Sequence, residues 1–83
     1  MNNNDKKEEM RLTDMKEGQS GIIFEIDGGR TATKRVADLG LTPGTEIKVV
    51  RKTLFSGPVQ IEANGSKLVL GKGLASKIMV TPK

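Results

Sequence analysis

Turn-forming residues break this chain so often that neither a long helix nor a broad open sheet fits between the breaks. Gly28-Gly29, Gly40, Pro43-Gly44, Gly57-Pro58, Asn64-Gly65 and Gly71 divide everything after Gly21 into short segments. Several of these breaks specify their own geometry. Pro43 presets φ and Gly44 supplies a positive φ, which predicts the central pair of a type II turn. Asn64 and Gly65 both tolerate positive φ, which predicts a type I′ hairpin. The segments between them are short and rich in β-branched or apolar residues. Ile22, Phe24 and Ile26 alternate with Ile23, Glu25 and Asp27, so the first row is expected to face the core. Further strands are expected at Thr45–Lys52, Pro58–Ala63, Ser66–Leu70 and Lys77–Thr81, with Pro58 confined to a strand start or an edge.

One segment has a different period. Ala32, Val36 and Leu39 recur at i, i+4 and i+7 within Thr31–Leu39, one face of a short helix. Gly40 suits the left-handed position after it, Leu41 is placed to pack back on Val36 as in a Schellman cap, and Pro43 prevents continuation. Gly71–Ser76 is expected to form one helical or 3₁₀ turn. The fold class is therefore mainly β: about five short strands closing a small, strongly bent barrel, with a short helix after the first strand. Closure removes exposed edges in a domain of 83 residues, which has apolar residues for only one core. Residues 1–9 are polar and aperiodic and are expected to form a disordered tail, leaving 10–83 as the domain.

Composition excludes most chemistries. The chain contains no Cys, His, Trp or Tyr, so disulfides, Cys/His zinc sites, thiolate nucleophiles and Ser-His-Asp triads are all absent. Gly71-Lys72-Gly73 and Gly28-Gly29-Arg30 lack the spacing of a Walker loop and are expected to be turns. Glu25 with Asp27, or Asp5 with Glu8 and Glu9, offer carboxylates to a hard cation, but without imidazole or thiolate no tight metal site is expected. The chain is expected to be no enzyme and to bind no cofactor. Its N-terminal residues are polar where a secretory signal is apolar, and no apolar run exceeds a few residues, so a cytoplasmic location without a membrane span is expected.

What remains is a surface. With 14 Lys and Arg against 10 Asp and Glu, the net charge of +4 favours an acidic partner. Lys34, Arg35 and Asp38 fall on the polar side of the helix, with Val36 at the border of its apolar stripe. The forked guanidinium of Arg35 suits a carboxylate or phosphate, although Lys34 and Asp38 also make an ordinary exposed i, i+4 pair. In the loop Thr53–Gly57, Leu54 and Phe55 lie beside a basic strand end that includes Lys52. They are either an interface anchor or a plug over the barrel mouth. Val36, Leu54 and Phe55 serve self-association equally well, which leaves a homo-oligomer open.

The run Arg35-Val36-Ala37-Asp38-Leu39-Gly40-Leu41-Thr42-Pro43-Gly44-Thr45 resembles the signature of FeoA-type ferrous iron transport accessory proteins. Its flanks agree: Leu12 to Gly18, Gly57-Pro58, Leu68-Val69-Leu70 and then Ala75, Ile78 and Val80 follow in the family's order. The sequence departs from the family pattern at Gly71-Lys72-Gly73 and at Lys34. The resemblance implies an SH3-like β-barrel. It also implies a role beside the Fe²⁺ permease that carries a cytoplasmic GTP-binding domain, and so a peripheral position at the inner face of the membrane. The expected function is to bind and modulate that permease through Lys34, Arg35, Val36, Asp38, Lys52, Leu54 and Phe55. Two alternatives stand beside it. One is a small basic nucleic-acid-binding barrel, against which the shortage of aromatic residues argues. The other is a detached regulatory domain like that of iron-dependent repressors, which contain the same barrel. Recognition of Pro-rich peptides, which needs an aromatic groove, is not expected from two Phe.

Overall fold

A computed structural model describes residues 9–53 and 57–83. In chain order these form β1 (Met10–Arg11), a 3₁₀ turn (Leu12–Asp14), β2 (Ser20–Ile26), α1 (Gly29–Asp38), β3 (Glu46–Lys52), β4 (Val59–Ala63), β5 (Ser66–Leu70), α2 (Lys72–Ala75) and β6 (Ile78–Pro82). The six strands make one antiparallel sheet in the order β1-β6-β2-β3-β4-β5. The expected strands are present within a residue at each end, except that β2 begins at Ser20, two residues before the alternation from Ile22, and the sixth strand is an addition. β1 is only two residues long and pairs Met10 with Val80 and Arg11 with Met79, too short to leave a period in the sequence.

The turns follow their residue chemistry. Gly44 has φ 97° and the Thr45 amide donates to the Thr42 carbonyl at 3.0 Å, the bond of a type II turn. Asn64 and Gly65 have φ 53° and 77° and join β4 to β5. After α1, the Leu41 amide donates to the Val36 carbonyl at 2.9 Å and the Gly40 amide to the Ala37 carbonyl at 2.9 Å, with Gly40 at φ 83°. Both bonds of a Schellman motif are therefore present.

Two expected core rows are corrected. On β2 the core residue is Ile23, 1% exposed, whereas Ile22 and Phe24 are half-buried. The β2–β6 ladder shifts register between Ile23 and Glu25, and such a bulge moves the inward face by one residue, so that Ile26 packs on the core beyond it. Gly21 lies in the same inward row as Ile23. A Cβ there would collide with Val80 Cγ1 and fall 2.8 Å from the Thr81 carbonyl, so glycine is what lets β6 cross β2 closely. On α1, Ala32 and Val36 are buried but Leu39 is 42% exposed. The helix ends at Asp38, Leu39 is its C-cap, and the fully buried Leu41 takes the inner position that Leu39 was expected to fill.

A single apolar cluster fills the interior. Ile47 and Val49 of β3, Val59 and Ile61 of β4, Leu70 of β5, and Ile78 and Val80 of β6 meet Leu12, Met15, Val36 and Leu41 there. Among the described residues no polar or charged side chain is buried, so this interior holds no group for chemistry.

Candidate functional site: a cationic cleft beside α1

Helix α1 is held at both ends, and β5 runs between the same two points, from the Asn64-Gly65 turn towards Lys77. At its start, Gly28 packs under Lys77; a Cβ on Gly28 would come within 2.6 Å of Lys77 Cδ and 2.9 Å of the Ala32 Cβ. At its end, Asn64 Nδ2 donates to the Gly40 carbonyl at 3.1 Å, tying the helix to the β4–β5 turn. Between helix and strand runs a cleft of about 560 Å³, with Ala32, Arg35 and Leu39 on one side and Val69, Leu74 and Lys77 on the other. Leu39 and Val69, the latter 67% exposed, are the exposed large apolar side chains among the described residues. Both line this cleft.

The charges around it are unbalanced. The ion pairs among the described residues are Arg11–Asp27 (3.3 Å), Lys34–Asp38 (3.6 Å) and Lys83–Glu46 (3.2 Å). Arg35 and Lys77 belong to none of them, and no Asp or Glu lines the cleft. Lys34 and Asp38 form the expected i, i+4 pair, exposed and of a kind contributing less than about 1 kcal/mol. Arg35 is the cation of α1 that turns into the cleft.

The other expected site residues are distributed differently. Val36 is 0% exposed, its side chain deep in the core, because it lies squarely on the helix stripe rather than at its border. It offers no surface to a partner. Lys52 points inward: its Nζ donates to the Thr13 carbonyl at 2.8 Å and the Met15 carbonyl at 2.9 Å, and its amide donates to Glu17 Oε2 at 2.8 Å. This lysine staples the segment after β1 to the end of β3. Replacing Lys52 with Ala leaves two carbonyls without their donor and should lower stability by about 1–3 kcal/mol. A urea titration is expected to show a lower midpoint with an unchanged slope, and an unchanged midpoint would disprove the staple. Leu54 and Phe55 lie outside the described residues.

Reasoning from sequence missed the strand side of the cleft, although a signal was present. Alternation along Ser66–Leu70 puts Val69 on the face opposite Leu68 and Leu70, so an exposed valine was implied once Leu70 was placed in the core. Lys77 gave no such signal, since only the packing of Gly28 against it brings it to α1.

No cluster of three or more His, Cys, Asp and Glu side chains able to hold a metal occurs among the described residues. Asp27, offered with Glu25 as a carboxylate pair, is instead bonded by Arg11 Nη1, which also donates to the Ser76 carbonyl at 2.8 Å. No described helix is long and apolar enough to cross a membrane.

These features define a class: a small, mainly β, SH3-like module whose candidate site is a surface cleft. Residues 10–82 match the FeoA domain. The chain belongs to the FeoA domain family, a family of ferrous iron transport accessory proteins. A protein of Methanocaldococcus jannaschii, provisionally named Fe(2+) transport protein A, is 43% identical over 65 residues, covering 78% of this chain and 77% of that one. The crystal structure of an iron uptake regulatory protein, FeoA, is 36% identical with a TM-score of 0.82, covering 92% of this chain and 99% of that one. The zinc complex of Stenotrophomonas maltophilia FeoA, described as an SH3 domain protein, is 19% identical with a TM-score of 0.73, covering 86% and 88% of the two chains. It shares the fold.

Proposed function

We propose that this protein is a non-enzymatic accessory of ferrous iron uptake that docks on the Fe²⁺ permease and modulates its assembly or its GTP-dependent activity. It acts from the cytoplasmic side, held at the membrane by that partner. The observation that carries this reading is the cleft beside α1, where exposed Leu39 and Val69 lie next to two cations without ion-pair partners. Exposed apolar surface beside uncompensated charge is how a docking surface is built. Family membership supplies the system in which the partner is sought. Lys34, Arg35 and Asp38 contribute the helix side of the surface, and Val36 supports it from beneath.

The test is a titration of the full chain with the permease's cytoplasmic GTP-binding portion, following backbone amide shifts with GDP and with a GTP analogue. Saturable shifts are expected for residues 31–39 and 66–71. No shift with either nucleotide would remove the GTP-binding portion as the partner.

A further inference from the structure

The cleft has a second property besides its charge: one of its walls is an open sheet edge. β5 ends the strand order and pairs with β4 alone. The two-residue turn Asn64-Gly65 makes Ala63 and Ser66 a hydrogen-bonded pair. Ser66, Leu68 and Leu70 therefore direct their amides and carbonyls to β4, while Lys67 and Val69 direct theirs outward. Among the described residues neither Lys67 nor Val69 has a backbone partner on that side. Native sheets usually blunt such an edge with charge, proline or a covering element. Lys67 does so at one end, but Val69 is apolar and exposed. Val69 and Leu70 of this strand line the cleft together with Ala32, Arg35 and Leu39 of the α1 segment, so open volume lies between the end of the strand and the helix.

We infer that β5 and α1 form a slot for an extended segment of a partner protein that adds to the sheet beside β5, with apolar side chains alternating with carboxylates. The unused amides and carbonyls of Lys67 and Val69 would bond its backbone, as in strand addition. One of its apolar side chains would pack among Leu39, Val69 and Leu74, and its carboxylates would meet Arg35 and Lys77. The acidic preference follows from charge complementarity, since the lining has two cations without ion pairs and no acid. The anchoring of α1 at Gly28 and at Gly40 fixes the slot before anything binds, so little ordering is needed on association. The inference rests on the reading of the α1 face as a docking surface and specifies what that surface takes.

The experiment uses the full chain and two capped ten-residue peptides, one alternating leucine and valine with glutamate and the other replacing each glutamate with lysine. The glutamate peptide is expected to give saturable amide shifts in residues 31–39 and 66–71 and to slow exchange of the Lys67 and Val69 amides at least tenfold. The lysine peptide should bind at least tenfold more weakly. Val69→Pro, which removes an outward amide from an edge strand, and Val69→Lys, which keeps the amide but blunts the edge, should each weaken binding at least tenfold. Equal binding of the two peptides, no saturable shift, or shifts without slowed exchange would each overturn the slot. So would shifts at these residues that grow with the protein's own concentration, since a second copy would then be the occupant. The peptides contain no permease sequence, so the two readings fail separately. Shifts from the permease portion with none from the glutamate peptide overturn the slot alone, and the converse overturns the choice of partner alone.

Discussion

Replacing Val36 with Glu is expected to unfold the protein, whereas the same replacement at its neighbour Arg35 leaves the fold intact. Val36 is fully buried among apolar side chains, and among the described residues no buried polar group exists to receive a carboxylate. Burying an unpaired charge costs at least several kcal/mol, and a domain of this size has about 5–15 kcal/mol in total, at the lower end for so small a core. A thermal melt followed by circular dichroism should lose its cooperative transition. Val36→Ala, which leaves only a small void, should keep that transition and lose about 0.5–3 kcal/mol. A cooperative melt for Val36→Glu near that of the parent would show that this helix does not seal the core.

Arg35→Glu separates recognition from stability. The Arg35 side chain is exposed, forms no ion pair, and lies in the last turn of α1, where a basic residue complements the helix dipole. Reversing its charge should cost about 0.3–1 kcal/mol of stability. Its effect on an acidic partner is larger, because one attraction is lost and one repulsion gained in the lining of the cleft. Binding should weaken about tenfold or more, equivalent to about 1.4 kcal/mol. Fe²⁺ uptake should fall correspondingly in a strain that depends on this protein, while Arg35→Lys, which keeps the charge but loses the fork, should recover part of it. Unchanged uptake with a folded Arg35→Glu protein would remove the cleft from the proposed function.

How far the sequence disclosed this arrangement depended on the range of the forces involved. Local rules were sufficient where one residue's backbone preference decides the geometry, as at Pro43-Gly44, Asn64-Gly65 and the Gly40 cap. They were insufficient where two apolar neighbours compete for the core. Ile22 and Ile23 are equivalent in propensity, and the choice between them is made by a bulge in the pairing with β6, more than fifty residues away in sequence. Leu39 illustrates the same limit, because the helical period carries it to the buried face but the chain has already turned. Of the candidate site, Arg35 was legible on a polar helix face with Lys34 and Asp38, of which Arg35 alone lines the cleft. The opposite wall was not, since Val69, Leu74 and Lys77 come to the other side of the cleft from α1 only through tertiary structure, with the helix held near Lys77 at its start and by Asn64 at its end. Lys52 shows the reverse error: a lysine read as surface charge is a tie between two backbone carbonyls.

The position of β6 also governs when the chain can fold. This strand lies between β1 and β2, pairing Met79 and Val80 with Arg11 and Met10 on one side and Ile78–Pro82 with residues from Gly21 to Ile26 on the other. The earliest strands to be synthesised therefore have no shared neighbour until the last has been made. Hairpin β4–β5 closes locally through its two-residue turn, but the β2–β6 ladder must first close a loop spanning most of the domain, and such non-local pairing makes folding slow. Until Ile78–Pro82 emerges from the ribosome, the edge of β2 that β6 will cover remains open. The nascent chain is then most vulnerable to pairing with the wrong strand.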